Sequence, residues 1–275
     1  MQDEKRMNAT PIRKTRKNAG EMKYIILSAL SLITFFVLWE LLVRCEVIES
    51  RMLAPPTEII KTFAEKFVSP KPDGSTLQVN ILTSLQVVLS GFGLAVIIGI
   101  PLGLFMGWYR PIDRFIRPIF EVVRPIPPIA WIPYAILWFG IGLKAKAIII
   151  FFSAFVPIVI NTYTGIRLTN QTLINVSKTC GASNFQTFLR VGIPSSLPMM
   201  FAGIRISLGN AWGCVVAAEM LAANAGLGYM ILMGRQFVRP DIVILGMLII
   251  GLIGAALTGI VGQLEKKLIK GRDAR

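Results

Sequence analysis

Six stretches of mostly apolar residues follow one another along the chain, at 24–43, 84–108, 118–140, 146–166, 198–221 and 242–264. Each is close to the length of about 20 residues that a helix needs to cross a bilayer. In lipid the backbone must satisfy its own polar groups, which leaves helices and closed barrels as spanning structures. The expected fold is an all-α polytopic membrane protein with six transmembrane helices. Composition agrees, with 54% hydrophobic and 16% charged residues against about 25% charged in an ordinary soluble domain.

An even number of spans places both ends of the chain on one side. That side would carry the basic tail 1–23, the loop with Arg110, Arg114 and Arg117, the loop with Arg167, Lys178 and Arg190, and the tail 265–275. It holds twice as many Lys and Arg residues as the other side, so the positive-inside rule makes both termini cytoplasmic. The first span ends in Val43-Arg44-Cys45-Glu46 rather than a small-x-small cleavage site, and reads as an uncleaved span. The 29 Lys and Arg against 15 Asp and Glu are therefore mostly a topology signal. No basic patch interleaved with aromatics points to nucleic acid.

Several chemistries are excluded. The chain has no histidine, which removes His-based triads and His ligation of zinc or haem. Its three cysteines, Cys45, Cys180 and Cys214, lack C-x-x-C spacing and read as free thiols. No G-x-x-x-x-G-K-[ST] loop is present, so no P-loop nucleotide site is signalled.

Outside the spans, Pro55-Pro56-Thr57-Glu58 reads as a helix start, with Ile59, Ile60, Phe63 and Phe67 at helical spacing behind it. Residues 69–75, with Pro70, Pro72 and Asp73-Gly74, read as a turn. Gly99, Gly103 and Gly107 in the second span and Gly251, Ala255 and Gly259 in the sixth recur every four residues, a rhythm suited to close helix packing within the bundle.

Polar and helix-breaking residues inside the spans call for explanation. The third span carries Arg124-Pro125-Ile126-Pro127-Pro128-Ile129-Ala130-Trp131-Ile132-Pro133, which cannot be an unbroken helix. A broken helix at membrane depth either lines a solute pathway or forms a buried structural kink. Arg124 and Arg205 must face the interior, find a partner or snorkel to the interface. Glu40 and Arg44, four apart, are expected to pair locally. Asn161 and Asn210 can bridge helices or touch solute.

Between the fourth and fifth spans, the polar loop 169–197 is longer than a connection requires. Gly181 can end one helix, Ser183 or Asn184 can cap the next, and Pro194 and Pro198 are expected to stop it. Phe185, Phe188 and Leu189 would share one face of that second helix, suited to a groove on a partner or to the membrane surface.

This loop resembles the cytoplasmic signature of ABC importer permeases, Glu-Ala-Ala, three residues, Gly, nine residues, Ile-x-Leu-Pro. Gly181, the nine-residue gap, Val191, Ile193 and Pro194 fit, while Asn175, Val176 and Ser177 stand in place of Glu-Ala-Ala. Arg124 to Pro133, Trp138-Phe139-Gly140-Ile141-Gly142, Gly165-Ile166-Arg167, Gly203-Ile204-Arg205, Ala217-Ala218-Glu219 and Gly226-Leu227-Gly228-Tyr229-Met230 are similar to the sulfonate, nitrate and taurine branch.

The resemblance implies a non-catalytic permease of the bacterial inner membrane, paired with a second permease chain. Two ATP-binding subunits would hold the ATP and magnesium, and an extracytoplasmic binding protein would deliver the solute. It implies no cofactor in this chain. Asn175, Gly181, Ala182, Ser183, Phe185, Phe188, Leu189 and Pro194 would carry the ATPase contact. Arg124, Pro127, Pro128, Trp131, Arg205, Asn210 and Glu219 are the candidate pathway residues. The solute would be a small sulfonate, taurine or nitrate-like ion, with a vitamin or nucleobase precursor as the alternative. An ion-coupled secondary transporter and an intramembrane enzyme are the rival classes, disfavoured by the absence of clustered intramembrane carboxylates.

Overall fold

The computed structural model describes residues 17–269, and every regular element among them is helical. The basic tails expected at 1–23 and 265–275 lie largely outside those residues. The chain divides into two units at Glu58/Ile59.

The first unit contains α1 (Lys17–Arg44), whose apolar part from Ile26 is long enough to cross a membrane. Its end carries the expected Glu40–Arg44 pair, Nε to Oε1 2.6 Å. Thr57 donates to the same carboxylate from its backbone N–H at 3.1 Å and its hydroxyl at 2.8 Å.

The second unit is built on α3 (Leu77–Trp108), α6 (Leu143–Arg167) and α9 (Ile193–Ala222), with α6 packed between the other two. The glycine rhythm of α3 is its seam with α6. A Cβ at Gly99 would lie 2.9 Å from Ile158, at Gly103 2.8 Å from Thr162, and at Gly107 2.5 Å from Ile166. The matching rhythm in α11 (Pro240–Ile269) is not such a seam. Gly251 and Gly259 have open space, and the glycines in contact are Gly246 against Ile231, Gly254 against the Trp212 ring and Gly262 near Arg205. Trp212 donates its indole N–H to Ile250 O at 2.7 Å, which turns the Gly254 side of α11 toward α9.

The proline cluster divides the third span. α4 (Arg110–Val123) meets the segment Pro128–Phe139, a 3-10 turn running into α5 (Ile132–Phe139), at an 85° bend. Prolines 125, 127 and 128 remove the donors that would have carried the helix through.

The coupling loop folds as α7 (Gln171–Thr179) and α8 (Asn184–Thr187), then a π turn over Phe188–Gly192 that runs straight into α9. Pro194 and Pro198 therefore do not stop a helix, and residues 184–221 form one continuous helical rod. The Ile193 N–H reaches Phe188 O, five residues back, and this wider turn absorbs Pro194, which sits in the first turn of α9 where no donor is required.

α2 (Pro56–Val68) is the short helix expected after the first span, but its buried side is Ile59, Thr62 and Lys66, while Ile60, Phe63 and Phe67 are exposed. Polar bonds explain the inversion. Thr62 donates to Asp241 at the start of α11 at 2.6 Å. The buried Lys66 ammonium is ion-paired with Asp73 and donates to Lys71 O at 3.0 Å and Ser75 O at 2.7 Å. Asp73 in turn accepts from Asn80 Nδ2 at 2.7 Å. Thus α3 begins at Leu77 rather than near Ser84, because its first turn is tied into this cluster.

Candidate functional site

Two places in the second unit concentrate functional chemistry: a cavity at the broken span and a polar helix pair between α6 and α9. The cavity measures about 500 Å³. On one side are Arg124, Pro128 and Ile129 from the break, and on the other Ser153 and Pro157 of α6 with Asn210 and Cys214 of α9. α9 presents Gly209 and Gly213 beside Asn210, and neither glycine has any atom within 4 Å of the Cβ position. Small residues on this face keep the wall open.

Of the seven expected pathway residues, three line this cavity: Arg124, Pro128 and Asn210. Pro127 sits in the exposed turn that leads Pro128 and Ile129 into the wall, its carbonyl accepting from Ala130 N at 2.9 Å. Trp131 packs instead, stacked flat on Phe152 with ring centroids 4.6 Å apart. Arg205 does not line the cavity and is ion-paired with Glu265 near the end of α11. A guanidinium in an apolar helix that finds a carboxylate on the neighbouring helix is less costly than an unpaired one, and this accounts for its place there.

Glu219 also departs from the expectation. It is fully buried at the end of α9, where it accepts from Ser84 Oγ at 2.8 and 2.9 Å and from the Gly228 N–H at 2.9 Å. Ser84 accepts from Leu227 N at 2.8 Å and Asn80 Oδ1 from Gly226 N at 2.9 Å. The three consecutive N–H groups of 226–228 are thereby pinned, and α10 (Leu227–Gln236) starts from this knot. Burial of a carboxylate is tolerated when its oxygens are hydrogen-bonded this fully. Asn161 serves its own helix, donating to Pro157 O at 2.8 Å.

In the polar helix pair, Asn170 Oδ1 accepts from Thr172 N at 2.8 Å to cap α7. Gly181 stands at φ +79° just after α7, a conformation that costs an L side chain free energy. Ser183 and Gln186 form a reciprocal capping box for α8. Ser177 and Thr187 hydroxyls meet at 3.1 Å and hold the two short helices together. Asn175 Oδ1 accepts from Gln171 Nε2 at 3.1 Å, a bond internal to α7.

The three residues expected on one face separate. Phe185 and Leu189 are exposed, whereas Phe188 is buried at 2% exposure against Phe105, Trp108 and Tyr109 at the end of α3, with centroids 5.5–5.8 Å apart. Helical spacing explains the split, because residues 185 and 189, four apart, lie one above the other while Phe188 stands about 100° round the axis from Leu189. Phe188 anchors the pair to α3, while Phe185 and Leu189, with Leu173 and Val176 of α7, form the exposed apolar set. Leu173 and Val176 are three residues apart, a spacing that puts them on one side of α7.

Residues 99–270 match the family described as the binding-protein-dependent transport system inner membrane component. The chain belongs to that family. A Methanocaldococcus jannaschii relative, described as an ABC transporter permease protein, is 41% identical over 233 residues, 84% of this chain and 86% of its own. The taurine transport system permease protein of Escherichia coli K12 is 31% identical, with 90% of each chain covered. The nitrate import permease protein of Leptolyngbya laminosa is 33% identical, with 86% of each covered. In fold, the chain is similar to a structure of the MetNI methionine ABC transporter in inward-facing form, at TM-score 0.52 and 21% identity, covering 67% of this chain and 97% of that one. Permeases of this kind are the non-catalytic membrane components of ABC importers, which work with ATP-binding and solute-binding subunits.

Proposed function

We propose that this permease passes a small anionic or zwitterionic solute of the sulfonate, taurine or nitrate type, by alternating access driven by a separate ATPase. Two copies of the chain form the pathway, with both termini and the α7–α8 pair in the cytoplasm. ATP and magnesium stay with the ATPase, and an external binding protein delivers the solute. The relatives named for taurine and nitrate support this solute class.

The observation that carries the reading is the Arg124 guanidinium at the wall of a 500 Å³ cavity opposite Asn210. A cation at a pathway wall, half-exposed and only loosely engaged by Glu121 at 3.3 Å, attracts an anion and has donors to spare. Exposed α7–α8 side chains supply the surface through which closure of the ATPase pair would move α9, since the rod from Asn184 to Leu221 is unbroken.

The test is uptake by the complex of permease, ATPase and binding protein in proteoliposomes. The solutes are taurine, ethanesulfonate and nitrate. Arg124→Gln is expected to reduce uptake of the transported anion about tenfold while the ATPase still co-purifies, the equivalent of ~1.4 kcal/mol at the barrier. Unchanged uptake in that variant, or uptake of none of the three by the unaltered complex, would overturn the reading.

A further inference from the structure

α4 presents an apolar side and a neighbouring charged side. Ile112, Ile116 and Phe120 pack toward Met106 and Val159 of the bundle. Arg110, Asp113, Arg114, Arg117, Glu121 and Arg124 recur at steps of three and four and share a different side of the helix. Four cations against two anions give this face an excess of positive charge. Part of this face, the two cations Arg117 and Arg124 and the two anions Asp113 and Glu121, lines a second cavity of about 210 Å³ together with Tyr163 and Thr164 of α6 and the apolar Met106, Phe120 and Val159.

The two cavities lie in series. Both are lined by Arg124, and both run along α6, the first at Ser153 and the second at Tyr163, about 15 Å further toward the end of that helix at ~1.5 Å per residue. Arg117 is held in the second cavity by Asp113, with Nε to Oδ1 3.1 Å and Nη2 to Oδ2 2.9 Å, and by the Tyr163 hydroxyl. Its guanidinium carbon also lies 5.1 Å from the Tyr163 ring centre. These bonds use Nε and Nη2 and leave the two N–H groups of Nη1 outside them. The Tyr163 hydroxyl accepts from Arg117 and keeps its own proton to donate.

We infer that the second cavity is an oxyanion station, in which Arg117, oriented by Asp113 and Tyr163, takes the solute's sulfonate or nitrate group from Arg124 as it leaves the first cavity. This rests on the anionic-solute reading above. The hand-over is an exchange of ion-pair partners. Arg124 and Glu121 are 48% and 53% exposed, and such exposed pairs are weak enough for a competing anion to displace. Arg117 can keep its Asp113 pair, since its Nη1 edge is outside that bridge. The smaller volume suits the charged head of a solute, and the carboxylates of Asp113 and Glu121 keep the station from holding an anion permanently.

The test uses the full complex in proteoliposomes, with taurine, ethanesulfonate and nitrate as probes and ATPase co-purification as the check on assembly. Arg117→Gln and Tyr163→Phe, which keeps the ring, are each introduced. The expected result is a fall in maximal uptake rate, about tenfold for Arg117→Gln and about threefold for Tyr163→Phe, with half-saturation by loaded binding protein unchanged and partial recovery in Arg117→Lys. A merely structural role would lower the amount of assembled complex or treat Lys no better than Gln. Maximal rates within twofold of the unaltered complex in both variants would overturn the station while leaving the anionic-solute reading standing. Uptake of none of the probes by the unaltered complex would overturn both.

Discussion

A Gly226→Ala permease is expected to reach the membrane at a small fraction of the normal amount. Gly226 stands at φ +128°, and a Cβ there would lie 2.5 and 2.6 Å from the two Glu219 carboxylate oxygens. Neither strain has an easy release. Moving Glu219 breaks its bonds from Ser84 and Gly228, and moving residue 226 breaks the bond from its N–H to Asn80. Overpacking costs about 1–3 kcal/mol, and unpairing a buried polar group costs about as much again. Against a total stability of about 5–15 kcal/mol, that sum is large. Folded protein is read from monodisperse yield in detergent and from the temperature of aggregation. Gly93→Ala serves as the control, because nothing lies within 4 Å of its Cβ position and it should match the unaltered protein. Equal yields for the two variants would mean that the 226–228 knot contributes little.

The second large effect belongs to the exposed apolar set. Phe185→Asp with Leu189→Asp is expected to abolish capture of the ATPase while leaving the permease folded. Both side chains are exposed in the chain by itself, at 56% and 45%, so their replacement exposes no core. Buried aromatic and aliphatic anchors at protein interfaces commonly contribute about 2 kcal/mol or more each, and two such losses weaken binding about a thousandfold. The measurement is the ratio of ATPase to permease after affinity purification, with thermal stability of the permease alone as the control. Phe188→Ala would behave differently, because Phe188 fills a pocket against α3, and its loss should destabilise the permease itself. If the double variant retained the ATPase in full, docking through this surface would be wrong.

The long-range plan was legible because lipid leaves few ways to satisfy a backbone. Apolar length located the spans, and the prolines after Arg124 located the break. Gly181 and Ser183 were readable as a turn and a cap because their chemistry is local. What escaped was rotation about helix axes. The aromatic cluster of Phe105, Trp108 and Tyr109 took Phe188 and left Phe185 and Leu189 exposed, and the Trp212–Ile250 bond turned Gly254 rather than Gly251 toward α9. Partner choice across the sequence escaped too. Nothing near Glu219 announces Ser84, 135 positions away, and nothing near Arg205 announces Glu265. Thr62 and Lys66 look like the polar side of a surface helix until Asp241 and Asp73 are seen to cover them.

The central claim is that this chain is the pathway of an ATP-driven importer rather than a transporter in its own right. The most direct measurement is ATPase activity of the complex purified through a tag on this chain, in lipid nanodiscs, with and without binding protein loaded with taurine, ethanesulfonate or nitrate. The account predicts that an ATPase co-purifies and that one loaded form raises its rate severalfold above the empty binding protein. Solute uptake by proteoliposomes containing this chain alone, with no ATPase present, would contradict it.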